Sequence, residues 1–414
     1  MRNAGAADRR GVVRRIAQAN RGRAAALLER KFAAMAANPF AFYRGTAHLF
    51  YEDLRCEALP ESPVTWCAAD LHLENFGTFK GDNSLTYFDL NDFDEACLLP
   101  VVWDVARFAC SVWVAGGPQQ LSAPERRQAI TVFLDRYRHE LLAGRALWIE
   151  RATAEGAVRK LLKQLRSRTP ATLLKSRVQI KDAQVSLIAK GKRALPLSAA
   201  ERGKALQILR SCREGMHESR DFEWLDAAWR IAGLSSLGLE RYVVLGRRKA
   251  VRGGRRPDLE AYELIDIKEA SPSVAASRSP VAQPRWDSEA ARVITIQRRC
   301  QAASPAWLSA ATAHGKSFVV RQLQPAEDRL DLAEIAGQPA TLRGVLETMG
   351  RIVAWNHLRS AGRQGAALPD ELIAFAGRKA WVAPITRYAE QYGRQVKEDH
   401  GTFRQAWEAG AVSA

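Results

Sequence analysis

Acidic side chains are concentrated in one short segment of this chain, although the whole sequence carries 62 basic and 45 acidic residues. Between Trp66 and Ala96 the segment contains Asp70, Glu74, Asp82, Asp89, Asp92, Asp94 and Glu95. Solvated acidic runs are usually continuous and polar, whereas these carboxylates alternate with apolar residues such as Phe76 and Phe88. The pattern therefore indicates carboxylates that are held on a buried scaffold.

The first part of this segment, Asp70-x-His72-x-x-Asn75, has residue types that suit phosphoryl transfer. In that reaction an aspartate orients the attacking hydroxyl and accepts its proton, and an asparagine oxygen holds Mg²⁺. The spacing allows Asp70 and Asn75 to face one cleft. For His72 two roles stay open: it orients the catalytic loop, or it makes a structural hydrogen bond.

The hairpin FDLNDFDEA, residues 88–96, is expected to supply the remaining metal ligands. Mg²⁺ prefers one or two carboxylates together with phosphate oxygens, which favours a nucleotide complex over an all-protein cage. Asp92 is the main candidate and Asp94 is a further one. Asp89 stays beside them because its spacing from Asn75 also fits a ligand, and the alternative is a structural role.

The residues DLHLEN (70–75) resemble the catalytic loop D-x-H-x-x-N of aminoglycoside phosphotransferases and choline kinases, which belong to the protein-kinase-like superfamily. The resemblance continues with Asp92-Phe93 and, twelve residues after Asp92, with Asp104-Val105-Ala106 at the start of a buried helix. The chain is also similar to a bacterial family, domain of unknown function 2252, from NPFAFYRG (38–45) to YAEQYGRQVKEDH (388–400). The first resemblance implies ATP and Mg²⁺ as cofactors, whereas the second implies no established substrate.

The part of the chain after residue 233 is rich in β-branched residues and glycine, and it predicts a β-rich module. Its first turn, Gly233-x-Ser235-Ser236-x-Gly238, has glycines that allow backbone amides to approach phosphates. This turn is the predicted nucleotide loop.

A lysine in the next predicted strand, Lys268 of LIDIKEA, corresponds in the resemblance to the strand lysine that binds the α and β phosphates. A helix over 287–303 is expected to offer Glu289 to this lysine, with Gln297 as a second possibility. The strand KSFVVRQLQP (316–325) would then lead to the hinge.

The catalytic loop lies early in the chain, and the residues before it look helical. The resemblance therefore implies an α+β, two-lobe, protein-kinase-like fold that is circularly permuted. We expect a mostly helical catalytic lobe over 1–232 with its acidic strand, loop and hairpin unit at 64–96, a β-rich nucleotide lobe over 233–327, and C-terminal helices over 328–414 that pack back on the helical lobe. Helices are predicted at about 123–154, 156–167, 198–212 and 221–232, and residues 271–284 are predicted to form a mobile loop.

The sequence departs from these family patterns at Ala69, which stands where glycine is usual, and in the nucleotide loop, which has only two glycines. Three functions on this fold therefore stay open: a phosphotransferase with an unknown acceptor, a nucleotidyltransferase and a pseudokinase. A metallophosphoesterase, which also begins with D-x-H, is disfavoured because its later metal-binding motifs are absent from the sequence.

The net charge of +17 and the pI near 9.9 favour polyanionic partners. Residues 159–193 contain eleven Lys or Arg and one acid, so a further alternative is a non-enzymatic polyanion-binding protein. This segment has few aromatic residues, and no strong nucleic-acid motif is found. The sequence shows neither a stretch of about 18 apolar residues nor a signal peptide, and we expect a cytoplasmic protein.

Overall fold

The computed structural model describes residues 9–118, 121–182, 184–191, 193–212, 222–249, 258–324 and 328–412, and it combines helices with small sheets. The helices are α1 (Arg9–Ala19), α2 (Ala25–Ala37), α3 (Pro39–Gly45), α4 (Ala47–Asp53), α5 (Val101–Ala115), α6 (Ala123–Ala143), α7 (Gly156–Gln164), α8 (Pro170–Lys175), α9 (Ala199–Ser211), α10 (Val274–Arg278), α11 (Glu289–Cys300), α12 (Leu332–Ala336), α13 (Pro339–Ser360), α14 (Pro369–Gly377) and α15 (Val382–Glu408). The strands are β1 (Val64–Cys67), β2 (Phe76–Lys80), β3 (Thr86–Leu90), β4 (Cys97–Pro100), β5 (Val178–Lys181), β6 (Gln184–Leu187), β7 (Ala194–Leu195), β8 (Phe222–Arg230), β9 (Arg241–Arg248), β10 (Tyr262–Ala270), β11 (Ser309–Ala313) and β12 (Lys316–Gln322). The mixed α and β class predicted from the sequence is confirmed.

The helical half begins with short helices. Polar residues lie at the boundaries between them. Asn38 ends α2 and caps α3, because its side-chain oxygen accepts the backbone N–H of Phe40 at 2.7 Å and of Ala41 at 3.2 Å. Beyond them, β1 pairs with β4 and β2 pairs with β3, so that the acidic segment is folded into two small antiparallel pairs. Every residue of α5 is buried, as its nearly continuous apolar sequence predicts.

The second half contains one antiparallel sheet with the strand order β11-β12-β10-β9-β8-β7. Lys268 lies on β10 opposite Arg241 of β9 and Val319 of β12. The loop 231–240, which contains the predicted nucleotide turn, joins β8 to β9. The sheet also includes β7 and β8, which precede residue 233.

Several local predictions need correction. The helix predicted at 221–232 is wrong, because residues 222–230 form strand β8. The aromatic residues of FEWLDAAWR favour a strand, and pairing with β9 overrides local helical propensity. The helix predicted to reach residue 154 ends at Ala143, where Gly144 takes a left-handed conformation with φ 62°. The predicted strand end at residue 325 lies outside the described residues.

The segment 271–284, which the sequence predicts as a mobile loop, is instead attached to the acidic hairpin. It contains α10, and the Ser273 hydroxyl donates to the Glu95 carbonyl at 2.8 Å. Gln283 accepts the Leu98 N–H at 3.0 Å and donates to the Leu98 carbonyl at 2.9 Å. The serine and proline content of this segment therefore does not indicate mobility, because Glu95 and Leu98 supply hydrogen-bonding partners for it.

The C-terminal helices contribute to the largest apolar core. In it α13 packs on α6, and α15 packs on α5. Two smaller apolar clusters cover the faces of the six-stranded sheet. Among the described helices, none combines the length and the apolar character needed to cross a membrane.

Candidate active site

A cavity of about 520 Å³ lies where the helical half meets the six-stranded sheet. From the acidic segment it is lined by Asp70, Asp92, Asp94 and Glu95. From the loop between β8 and β9 it is lined by Ser235, Ser236 and Gly238. Residues that are 140 or more positions apart in the sequence therefore share one concave site.

The loop that carries Asp70 is held in a conformation that few non-glycine residues adopt. Ala69 has φ 66°, in the left-handed region, which costs an L-residue roughly 1–2 kcal/mol. Its N–H donates to Asp104 Oδ1 at 2.9 Å, and its carbonyl accepts the Tyr51 hydroxyl. Asp104 in turn contacts His357 Nε2 at 3.1 Å. Asp104 therefore fixes the backbone beside Asp70. It also lies in the first turn of α5, where a negative charge is favourable.

Asp70 forms an ion pair with Arg107, whose side chain is completely buried. Arg107 donates to Asp70 Oδ1 from Nη2 at 2.8 Å and from Nε at 3.1 Å, and among the described residues none donates to Oδ2. Burial raises the pKa of Asp70, and Arg107 opposes this rise. One carboxylate oxygen is thus fixed by the protein, while the residue as a whole lines the cavity.

Asn75 is placed so that its amide nitrogen and oxygen have different surroundings. Nδ2 donates to the carbonyl of Asp70 at 3.1 Å and to the carbonyl of Asp92 at 3.3 Å, which connects the loop 70–75 to the hairpin. Oδ1 is buried and has no hydrogen-bonding partner among the described residues. A buried oxygen without a donor is costly unless a ligand satisfies it, and an amide oxygen suits a hard cation such as Mg²⁺.

His72 supports the loop from within. Its Nδ1 accepts the backbone N–H of Glu74 at 3.1 Å, and its ring packs edge-on against Phe40. Burial holds the pKa of His72 well below its usual value, and the cations Arg44 and Arg107 add to the effect. His72 is not among the residues that line the cavity. As a neutral side chain behind the loop, it holds the loop in position.

Lys268 reaches across from the sheet to the acidic hairpin. Its ammonium lies 2.5 Å from Asp94 Oδ2 and 3.5 Å from Asp92 Oδ1. Burial opposes ionisation of Asp92, but Lys268 and the backbone N–H of Asp94 outweigh it and hold the pKa of Asp92 below its usual value. Burial raises the pKa of Asp94, and the charge of Asp92 raises it further. The two carboxylates therefore share one cation, an arrangement that favours an additional positive ion.

The predicted nucleotide loop has the backbone conformation that its glycines allow. Gly233 and Gly238 have φ 76° and 90°, and a Cβ at Gly238 would approach Arg23 Cβ to 2.7 Å. The Ser236 hydroxyl is buried and has no partner among the described residues. Arg23 and Lys31 donate to the carbonyl of Ser235, at 2.5 Å and 3.0 Å, and so attach the loop to the N-terminal helices.

Two of the residues predicted from the sequence do not join this cluster. Glu289 does not pair with Lys268, because its carboxylate accepts from Arg292 at 2.7 Å one turn along the same helix. Asp89 is buried on the other side of the hairpin, where its Oδ1 accepts from Asn356 at 2.8 Å. The second candidate on α11, Gln297, does line a small cavity together with Lys268.

Comparison with protein families identifies the chain. Residues 23–406 match a family model described as an uncharacterized protein conserved in bacteria, DUF2252. The chain therefore belongs to the DUF2252 family. No curated protein and no solved structure matches it.

In this DUF2252 chain, sequence reasoning missed the contribution of the N-terminal helices to the cavity. Lys31 is buried, and burial together with the charge of Arg23 holds its pKa well below the usual value. Its Nζ also donates to Asn20 Oδ1 at 2.8 Å. The only signal in the sequence was a lysine on the apolar face of α2, and nothing local indicated that its partner would be residue 235.

Proposed function

We propose that this DUF2252 chain is an ATP- and Mg²⁺-dependent phosphotransferase. The observation that carries the proposal is that one cavity unites Asp70 and Asp92 with the glycine-containing loop 233–238. Lys268 of β10 reaches Asp92 and Asp94 of the acidic hairpin. Phosphoryl transfer is catalysed mainly by positioning and charge stabilisation, so it requires such a set of groups at one place.

The order of elements supports a kinase-like nucleotide lobe. The glycine loop joins β8 to β9, the lysine lies on the next strand, β10, and α11 follows. Protein kinases have a glycine-rich loop, a lysine on the third strand and a following helix in the same order. Because the Asp70 loop precedes these elements in the chain, we infer a circular permutation of the kinase-like arrangement. This inference deepens the family assignment, which by itself specifies no activity.

Asp70 has the features of a general base in this proposal. Arg107 fixes its Oδ1, so Oδ2 is left to accept the proton of an acceptor hydroxyl. Its raised pKa brings the carboxylate closer to the working pH, which makes proton acceptance more effective. His72 and Asp104 act as positioning residues that hold the loop around it.

The acidic hairpin and Asn75 would hold the metal. The buried Asn75 Oδ1 and the carboxylates of Asp92 and Asp94 are oxygen ligands of the type that Mg²⁺ prefers. When bound, Mg²⁺ neutralises charge on the phosphates of the nucleotide. Lys268 and the loop 233–238 contribute a cation and backbone amides for the same phosphates.

Incubation of the protein and a cell lysate with ATP labelled at either the γ or the α phosphate tests the proposal. We expect the γ label to be incorporated in the presence of Mg²⁺, and Asp70→Asn to reduce this incorporation to background. Asp135→Asn, on the exposed face of α6, is the matched control and should behave as the wild type. Incorporation of the α label instead would indicate nucleotidyl transfer. Incorporation of neither label would contradict transfer to any acceptor in the lysate and would favour a pseudokinase.

A further inference from the structure

A second site with a different character lies at the C-terminal end of β8, where Arg230 is the last residue of the strand. Two adjoining cavities, of about 410 and 210 Å³, share Arg177, Arg193 and Arg230 in their walls. Arg168 completes the larger cavity and Lys190 the smaller one. None of the described residues that line either cavity is an aspartate or a glutamate, and neither cavity shares a lining residue with the candidate active site.

The arginines come from separate segments that the fold brings together. Arg168 follows α7, Arg177 follows α8, Arg193 precedes β7, and Arg230 is the last residue of β8. Backbone hydrogen bonds fix two of them, because the Arg177 carbonyl accepts from Ile188 at 2.8 Å and the Arg193 carbonyl accepts from Ile231 at 2.9 Å. The pocket is therefore built by tertiary structure and is not one solvated face of a basic helix.

Carboxylates outside the walls neutralise part of this charge. Arg168 pairs with Asp328 at 2.6 Å, and Arg230, whose side chain is 11% exposed, pairs with Asp266 at 2.5 Å. Asp266 also pairs with Arg241 at 2.6 Å and lies 3.6 Å from Arg321, so three arginines surround one buried carboxylate. Burial would raise the pKa of Asp266, but these arginines outweigh it and hold the pKa well below its usual value. The excess positive charge extends from the pocket into the sheet.

We propose that this arginine pocket binds the phosphate groups of a small phosphorylated ligand. Guanidinium groups match phosphate oxygens through paired, charge-assisted hydrogen bonds, and a wall without carboxylates raises no repulsion against a dianion. The concave shape and limited volume favour a compact ligand over an extended polymer, which would need an open basic surface. The basic segment 159–193 thereby acquires a specific role at Arg168, Arg177 and Arg193.

Phosphate groups can reach this pocket from two sources. One is a nucleotide, and the other is a separate phosphorylated metabolite that binds while the active-site cavity is free. The chemistry of recognition is the same in both cases. Competition between ATP and pyrophosphate distinguishes them, because displacement of pyrophosphate identifies the nucleotide and simultaneous binding identifies a separate ligand.

Titration calorimetry of the full chain with inorganic pyrophosphate at low salt and without Mg²⁺ tests the proposal. We expect one pyrophosphate per chain and a loss of affinity of about tenfold or more in Arg193→Gln, because a charge-assisted hydrogen bond is removed. Arg193 is exposed, so this variant should fold, and Arg168→Gln should give a similar loss at a second exposed position. Arg166→Gln, an exposed arginine of the same segment that does not line the pocket, is the matched control and should change affinity less than twofold.

The variant Lys268→Ala separates this proposal from the proposed activity. It should keep its pyrophosphate affinity, because Lys268 does not line the arginine pocket. Failure of the wild type to bind pyrophosphate would overturn the proposal. So would equal losses in Arg193→Gln and Arg166→Gln, which would indicate diffuse attraction, or loss of binding in Lys268→Ala.

Discussion

Replacement of Asp70 by Asn separates a catalytic role of this residue from a structural one. The side chain of Arg107 is 0% exposed and donates both of its hydrogen bonds with Asp70 to one carboxylate oxygen. Asp70→Asn retains an acceptor but leaves the guanidinium without its counter-charge. Removal of one partner of a buried ion pair costs about 3–5 kcal/mol. Because the Asp70 side chain is 13% exposed, we expect about 3 kcal/mol, the low end of this range.

The double variant Asp70→Asn, Arg107→Met supplies the comparison. It removes both charges and keeps an apolar side chain against the ring of Tyr43, over which Arg107 lies at 3.7 Å. Replacement of a buried ion pair by apolar side chains is often neutral or stabilising. We therefore expect the double variant to recover most of the unfolding free energy that Asp70→Asn loses. If Asp70 is the base, turnover should not return with it, and it should stay lower by roughly 10²–10⁴.

Urea denaturation gives the unfolding free energies, and ATP consumption per folded molecule gives the turnover, once an acceptor that supports wild-type turnover is at hand. Near-normal turnover in Asp70→Asn would refute the assignment of Asp70 as base. Joint recovery of stability and turnover in the double variant would do the same, because it would show that Asp70 acts only by holding Arg107. An Asp70→Asn variant as stable as the wild type would contradict the structural part of the reasoning.

Further predictions concern the neighbouring charges. Asp92→Asn should weaken Mg²⁺-dependent ATP binding without a large loss of stability, because it deletes a ligand from crowded like charges. Asp89→Asn is the control, and calorimetry should show that it leaves the affinity for Mg²⁺-ATP unchanged. Weaker binding in Asp89→Asn, together with unchanged binding in Asp92→Asn, would assign the metal-binding role to Asp89. Lys268→Ala should lower ATP affinity by roughly tenfold or more, because a charge-assisted phosphate contact is worth about 1.5–3 kcal/mol; unchanged binding would remove Lys268 from the site. The pKa of Glu95 is raised from 4.5 to about 6 by burial and by the charge of Asp70. The folded state therefore binds this proton more tightly than the unfolded state, and the unfolding free energy should fall as the pH rises from 4.5 through 6. Chemical denaturation should show that the unfolding free energy of Glu95→Gln depends less on pH. The same pH dependence in the wild type and the variant would contradict the raised pKa of Glu95.

Local motifs predicted the parts of the site that depend on short-range geometry. The loop 70–75 could be found because the proposed chemistry requires particular residue types at a fixed spacing. The left-handed φ of Ala69 is a conformation that glycine adopts at little cost, which gives a physical reason for the glycine that the resemblance to the two families leads us to expect at this position. Lys268 could be found because its strand has strong alternation and follows a glycine turn.

Contacts between distant segments could not be predicted in the same way. The expected pair of Lys268 with Glu289 failed because Arg292 lies one turn from Glu289 and takes its carboxylate. Lys31 and Arg23 reach the loop 233–238 only through tertiary packing, which leaves no periodic signal in the sequence. Strand β8 was mistaken for a helix because its stabilising partner, β9, lies on the far side of the glycine loop.

A crystal structure of the chain with Mg²⁺ and a non-hydrolysable ATP analogue tests the central claim most directly. The account predicts a triphosphate between the loop 233–238, Lys268 and the acidic segment, with the metal on Asn75 Oδ1 and Asp92. A triphosphate bound away from Lys268 and Asp92, or a metal that contacts neither Asn75 nor the acidic hairpin, would contradict it.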